Sequence, residues 1–526
     1  MKFKELEKDS ELVSKIKETY YKKEIGWDKR IDMMLDLVSR SVSERSMRKW
    51  LVKLGIKDKV DVVPEQIEVA KQKVHNKTKK YYLITSAQNA TTINHKLWVN
   101  MQAYAKKLDA EILVIPFRYH NPTSITSNKK DDWWNPELVP HLTLNRHNLN
   151  NKISVLADIK IQPTAPDPLS SLESMTGSHS SIVGHPKIEL KQVAGLDSSN
   201  YKFIFSSGCC TNENFLDSKA GKKASFHFSP GFALVEIKDE DTFFFRQVAA
   251  QADGQFIDMF YHVKDGNVNR VESVDAAILG DVHCPDTNID ICNLVFNGLF
   301  KKLYPKSIFM HDIISANSIS YHNLKDPFYL HKLFTEGNDS LQEELDKMIE
   351  WLKFVEPYNS YIVKSNHERH IDDFLKSSDW KRLTTFKNAI PYMEYSLAML
   401  KGEAKNGVVP YVVNKHYPKI KCLTEDDNIV VNGYLLSQHG HASQNGAKGS
   451  TAAFSNLGVK AVIGHQHTTA RKSGCCVVGT FSGLRLNYNR GLSSWSNSMG
   501  IINKLGKFQH IIFWYTKDGI EYTTIE

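Results

Sequence analysis

The chain has 526 residues, 41% of them hydrophobic and 24% charged, with a formal net charge of +8. That length excludes one ordinary domain and that composition excludes a disordered chain, while no apolar run reaches the length of a membrane span. Seven cysteines, an odd number that includes the adjacent pairs Cys209-Cys210 and Cys475-Cys476 and no Cys-x-x-Cys spacing, exclude a secreted disulfide framework and a zinc ribbon.

The first 21 residues alternate charged and apolar positions at helical spacing, and Ile31, Met34, Leu35 and Val38 mark a second helix. From Lys15 to Lys80 basic residues outnumber acidic ones. Ser43 is placed to cap a third helix with a buried stripe of Met47, Trp50, Leu51 and Leu54 and an outward face of Arg45, Arg48, Lys49 and Lys53, ended by Gly55. This capped basic helix resembles the recognition helix of helix-turn-helix DNA-binding domains, which implies DNA contact through those four basic side chains. A small solvated bundle or a protein-docking module is the alternative.

Tyr81–Thr85 reads as a strand, His95–Leu108 as an amphipathic helix and Glu111–Pro116 as a second strand, a βαβ-like opening. Residues 121–168 read as loops and short strands around Trp133-Trp134, which serve as loop or core anchors or, less commonly, stack on unpaired bases. Met175–His185 has the look of a phosphate or metal loop but lacks the Gly-Lys-Ser/Thr ending and the helical His spacing, so it is expected to be a surface loop. Phe232–Ile237 and Phe243–Val248 form a predicted hairpin.

Beyond Val274, apolar strands repeatedly end in metal-capable side chains. Ala276–Leu279 is followed by Gly280-Asp281-Val282-His283, and Ser307–Met310 by His311-Asp312. Tyr361–Lys364 is followed by Ser365-Asn366-His367-Glu368, Gly433–Gln438 by His439-Gly440-His441, and Lys460–Gly464 by His465-Gln466-His467. Five strand ends carrying Asp, Asn and His suit two divalent cations better than a packed core. Helices are expected over 291–303 and 339–355, a loop and helix over 442–458, and a closing hairpin from Phe508–Tyr515 and Ile520–Ile525.

The order Gly-Asp-x-His, Asp, Asn-His-Glu, His, Gly-His-x-His resembles the calcineurin-like metallophosphoesterase superfamily. The resemblance covers the C-terminal half, and implies a four-layer α/β/β/α sandwich within an overall α/β protein. It also implies that Asp281, His283 and His467 hold one metal, that Asn366, His439 and His465 hold the other, and that Asp312 bridges them. Two positions depart from the family pattern: His311 and Ser365 stand where glycine is usual. Asp286, Asp290 and Asp326 are rival candidates for the bridging carboxylate, and His439 is preferred to His441 on the family pattern alone.

Two such ions activate a water and stabilise charge during in-line displacement at phosphorus. An O/N donor set without thiolate suits Mn2+, with Zn2+, Fe2+ or Ni2+ as alternatives. If Asn366 ligates through its amide oxygen, His367 is the candidate acid for the leaving alkoxide. Glu368 would orient it or a nearby basic residue, and Arg369 would contact phosphate.

The expected organisation is a helix-turn-helix-like module over 1–78, an α/β domain of unassigned role over 79–272 and the phosphoesterase domain over 273–526. The expected function is a two-metal DNase with DNA as partner, working in the cytoplasm, away from membranes, as a monomer or an oligomer. The arrangement is similar to the early DNA-degradation and DNA-transfer nucleases of tailed phages, for which the location is the host cytoplasm. The alternatives are a phosphoprotein or small-molecule phosphatase with a docking module, and a DNA-binding regulator that uses its metals as scaffold.

Overall fold

The computed structural model describes residues 3–21, 27–54, 56, 79–119, 133–320, 324–383, 386–486 and 489–525. The chain divides into two compact units, Met1–Glu68 with Asn128–Asp132, and Val69–Ser127 with Trp133–Glu526.

The described part of the first unit is helical: Phe3–Leu6, Ser10–Tyr21, Trp27–Leu37 and Glu44–Lys53. Ser43 Oγ accepts the backbone N–H of Ser46, so the fourth helix begins at the predicted cap. Ile16, Ile31, Met34, Met47, Trp50 and Leu51 form its core. Lys49 is exposed, and Lys53 lies over the Phe3 ring at 4.9 Å. The side chains of Arg45 and Arg48, the expected stop at Gly55 and the Lys57-Asp58-Lys59 segment lie outside the described residues.

The second unit holds three large sheets. One has the order Glu111–Phe117, Tyr81–Gln88, Gly231–Ile237, Phe243–Ala249; its first two strands are parallel and joined by the His95–Leu108 helix, and its last two form the predicted hairpin. A six-stranded sheet runs Lys421–Cys422, Ser360–Val363, Ile308–His311, Ala276–Ile278, Ser498–Ile502, Phe508–Ile512. Its first four strands are mutually parallel, so all four deliver their C-terminal ends to one edge of the sheet.

The third sheet has ten strands, in the order Val430–Val431, Tyr434–Leu435, Lys460–Ile463, Cys475–Val477, Ala470–Lys472, Leu190–Val193, Lys202–Ser206, Ser180–Val183, Ile153–Val155, His147–Asn148. The junction is the antiparallel register Arg471↔Leu190. Strands from both sides of residue 272, where two domains were expected to meet, therefore share one hydrogen-bonded sheet. Ser180–Val183 is an interior strand of it, which corrects the expectation of a surface loop there. Its four residues are all buried, and a short apolar run next to small polar residues carries too little periodicity to be told from a loop.

Both ends of this long sheet are covered by another sheet. Tyr434, Val462 and Cys476 pack on Ala276, Ile278, Phe309, Val363, Ile502 and Phe508 of the six-stranded sheet. Ile153, Ile182, Phe203 and Phe205 pack on Tyr82, Leu113, Val235 and Phe245 of the four-stranded one, with the Phe205 and Phe245 rings stacked at 4.0 Å. Truncating any of these large side chains to alanine would cost about 2–5 kcal/mol. Phe454 of the short Thr451–Ser455 helix covers the far face of Ala461, Ile463 and Val477.

The helix expected over 339–355 is Leu341–Trp351 continued by Leu352–Phe354, capped by Ser340. That expected over 291–303 runs from Ile289 to Lys302 with a π turn at Leu294–Leu299. The C-terminus differs from expectation: Phe508–Ile512 pairs with Ser498–Ile502, and the closing hairpin is the shorter Trp514–Thr516 with Gly519–Glu521. Asp518-Gly519 marks the turn, whereas the partner of a fully buried strand cannot be read from the turn residues beside it. Among the described residues no helix is long and apolar enough to cross a membrane.

Candidate metal centre

The site lies where the parallel strands of the six-stranded sheet end beside Lys460–Ile463 of the long sheet. Ala276–Ile278, Ile308–His311 and Ser360–Val363 are almost wholly buried, because both faces of the sheet are covered, and the first polar side chains after them meet at the sheet edge. Gly464 allows the approach: a Cβ there would fall 2.1 Å from Asp281 Oδ1 and 3.0 Å from His311 Cβ.

Asp281, His283, Asp312 and His467 are buried and present one ligand atom each, all within 4.8 Å of one another. His283 Nε2 and His467 Nε2 are 2.9 Å apart, and His467 Nε2 is 2.9 Å from Asp281 Oδ2. His465 donates its backbone N–H to the same Asp281 oxygen at 2.8 Å. Asp312 Oδ2 is 3.5 Å from His283 Nε2, 3.4 Å from His439 Nε2 and 3.9 Å from His367 Nε2. His439 Nε2 also lies 3.2 Å from Asn366 Oδ1. The His465 ring is 5.2 Å from that of His439 and 6.2 Å from that of His441, which is itself 5.5 Å from His439.

Of the rival carboxylates, Asp286 accepts hydrogen bonds from Ser315 Oγ and Asn317 Nδ2, each at 2.7 Å. Asp326 caps the Pro327–Thr335 helix and Asp290 is exposed in the first turn of its own helix. Asp312 is the one that joins the cluster.

Charge and strain both concentrate here. Burial would raise the Asp281 carboxyl, yet the His439 and His467 imidazoles outweigh it and hold it at about 2. Asp312 is likewise held well below the usual carboxylate range, against its burial, by His367, His439 and His283. Burial pushes His283 down to about 3, so it presents a neutral imidazole with a free lone pair, the form that ligates metal. Asp281 Oδ1, Asp312 Oδ1, His283 Nδ1, His439 Nδ1 and His467 Nδ1 are buried without a hydrogen-bond partner. The two orphaned carboxylate oxygens cost about 1–3 kcal/mol each unless something binds them, and a divalent cation fits two carboxylates beside the Nε2 atoms of His283 and His467. His283, Asp312, His465 and His467 all adopt left-handed backbone, at φ of 53°, 46°, 68° and 53°. Strain of this kind in four non-glycine residues is held in place by its surroundings and gathers at functional sites.

Ser365, where the family pattern has glycine, is the N-cap of the Asn366–Ser377 helix. Its hydroxyl donates to Glu368 Oε1 at 3.3 Å while accepting the Glu368 N–H at 3.5 Å, so Ser365 and Glu368 form a capping pair. Glu368 is buried, and burial lifts its carboxyl to about 7. His367 Nδ1 lies 2.7 Å from the Ser315 carbonyl oxygen, which can only accept, so Nδ1 carries a proton and Nε2 faces Asp312. Arg369 is exposed and paired with Asp373 at 3.4 Å.

Three contributors escape a reading by motif. His311 is fully buried with neither ring nitrogen hydrogen-bonded, and its ring is 5.5 Å from His439. Its only sequence signal is the His-Asp pair closing a strand. Ser315, which holds His367, and Trp495, whose ring lies 4.1 Å from that of His467, carry no signal.

The fold and site define a mixed α/β protein with a buried Asp/His cluster that could hold a metal ion. Among curated proteins the chain is similar to protein A1 of Escherichia phage T5, with 26% identity over 444 residues that cover 80% of this chain and 79% of that protein. The likeness supports a phage origin. No protein-family model matches the chain. No solved structure matches it.

Proposed function

We propose that the chain is a metal-dependent phosphodiesterase of the calcineurin-like type that hydrolyses DNA. The observation that carries this reading is Asp312 Oδ2, which lies within 3.5 Å of ring nitrogens from two groups, His283 of the Asp281/His467 set and His439 of the Asn366 set. A carboxylate so placed is suited to bridge two ions. The opposed packing of the six- and ten-stranded sheets around this edge is consistent with the four-layer sandwich of that superfamily.

In this reading Asp281, His283 and His467 hold one divalent ion and Asn366, His439 and His465 the other, Mn2+ being the metal the donor set suits best. Two such ions supply Lewis-acid activation of water and of the phosphoryl oxygens when bound. The protein's own groups do the rest. His367, its Nδ1–H fixed by the Ser315 carbonyl, turns Nε2 toward the site and, when the ring carries its second proton there, is the acid that passes that proton to the leaving 3′ or 5′ oxygen and is left as neutral imidazole. The first turn of the Asn366–Ser377 helix adds its positive end at the same edge, which favours a bound phosphate. Exposed Lys49 and Lys53 on the first unit suit DNA phosphates.

Purified protein should nick and then degrade supercoiled plasmid with Mn2+, and should do so far faster than it hydrolyses an aryl phosphomonoester. Phosphomonoesterase activity without nicking would favour a phosphatase. Plasmid binding without either activity would favour a regulator.

A further inference from the structure

The Phe386–Leu400 helix carries two apolar stripes. Asn388, Tyr392, Tyr395 and Ala398 face inward and are buried. On the other face Phe386 is fully exposed, Leu400 is 86% exposed, and Ile390, Met393 and Leu397 are 50–61% exposed. Their spacing is four, three, four, three, the 3.5-residue repeat of a seam that receives another helix.

From this we infer that the Phe386–Leu400 helix is a dimerisation seam that packs antiparallel on the same helix of a second copy of this chain. The stripe exposes the equivalent of about three and a half whole side chains. Phe386, Ile390, Met393 and Leu397, which meet across the seam, account for most of this, and at roughly 200 Å2 apiece two copies would remove about 1,100 Å2 from water, enough for a specific interface.

Spacing, with the charge of Glu394, selects the register. With the helices antiparallel, each rising 1.5 Å per residue in opposite directions, placing Phe386 against Leu397 of the second copy also places Ile390 against its Met393. Lys387 and Glu394, which flank the seam on one side, then meet across the two-fold axis twice. Sliding by one heptad sets Met393 against Leu397 and brings Glu394 to Glu394 and Lys387 to Lys401, which repels. Lys387 already pairs within its own chain with Asp339 and Glu343, each 3.1 Å away, so in the dimer its charge would be shared among those carboxylates and Glu394. The Asn366–Ser377 helix packs on the inner face of this same helix through Phe374 against Tyr392, their rings 5.3 Å apart, so the pairing would brace the element that begins with Asn366 and His367.

The test is sedimentation velocity of the full chain together with disulfide trapping. Wild type should sediment as a dimer, and Met393→Glu, a change at an exposed position, should raise the dissociation constant at least about 100-fold without altering the melting temperature. Under mild oxidation the Phe386→Cys/Leu397→Cys double variant should form a covalent dimer, while each single variant, whose two copies of the new thiol lie about 16 Å apart along the axis, should not. A monomer up to about 100 µM, or a dimer indifferent to Met393→Glu, would overturn the inference. So would single variants that cross-link as fully as the double. Cysteines on the seam that resist alkylation in a monomeric protein would show the seam covered within its own chain, and would overturn it too.

Discussion

Asp312 Oδ2 lies 3.4 Å from His439 Nε2 and, at 3.5 Å, almost as near to His283 Nε2. One oxygen thus stands between two sets of imidazoles delivered by different strands. Asp312→Asn halves the charge available there while keeping the shape. Metal content measured on the purified variant should fall at both sites, with at least about a 100-fold loss of hydrolysis, since even partners one shell further out cost 10–100-fold. A variant that keeps two equivalents of metal and full turnover would remove Asp312 from the centre.

Asn366 and His367 are neighbours that should fail differently. In the proposed arrangement Asn366→Ala removes a ligand and should lower metal content and activity on every ester. His367→Asn should keep both metals and slow DNA cleavage by about 100-fold, yet spare an aryl phosphodiester whose leaving group departs without a proton. Equal losses on the two substrates with metals intact would mean His367 is not the acid.

Gly464→Ala tests the packing of the centre. The added methyl would fall 2.1 Å from Asp281 Oδ1, so either the carboxylate or the strand end must move. Metal affinity should drop by at least about tenfold, the loss typical of a misplaced ligand shell, while the melting temperature of the metal-free protein changes little by comparison. Titration with Mn2+ followed calorimetrically would measure it.

On the first unit, Lys49→Ala/Lys53→Ala should weaken DNA binding and flatten its dependence on salt. Each phosphate left without its lysine takes about 0.9 from the slope of log K against log salt, so the pair should remove up to about 1.8. Cleavage of bound DNA should survive. An unchanged slope would favour a protein-docking role for these helices.

Stability should fall as pH drops from about 6.5 toward 4, and His510 isolates one cause. It is buried between the sheets with Nε2 at 3.0 Å from the Val477 carbonyl, and burial pushes it down to about 3. Between its ordinary value of 6.5 and that value the unfolded chain binds a proton that the folded chain refuses, so folding weakens by about 1.4 kcal/mol per pH unit on this account. His510→Gln should be less stable at pH 8, and the gap should narrow on acidification. A gap that is constant from pH 7 to 4 would show that His510 titrates in the fold.

Asp281, His283, Asp312 and His467, whose ligand-type atoms the structure brings within 4.8 Å of one another, were legible because each closely follows a buried strand, as Asn366, His439 and His465 also do. What decides among them is not local. His439 rather than His441 stands next to Asp312 and Asn366 because Gly440 turns the chain between them at a φ of 107°. Strand pairing was legible where a short turn or a single crossover joins the partners, as in Phe232–Ile237 with Phe243–Val248. It was not legible for Leu190–Val193 with Ala470–Lys472, whose sequence separation is close to 280 residues. His311 was legible only as a histidine closing a strand, because a buried imidazole next to Asp312 looks, in one dimension, like any other.

The ten-stranded sheet has a consequence for how such a gene can be taken apart. A polypeptide beginning near residue 273 would keep the whole Asp/His cluster and still lose the strand that lies beside Ala470–Lys472, leaving that edge open for another chain to pair with. It would also bare Leu484, Ile512 and Trp514, which rest on residues from 82 to 245. The half that carries the Asp/His cluster is therefore not portable: recombination that moved it into another gene would have to carry the strands of residues 147–206 along. Two fragments cut in a loop between them would be expected to find each other again and restore one sheet.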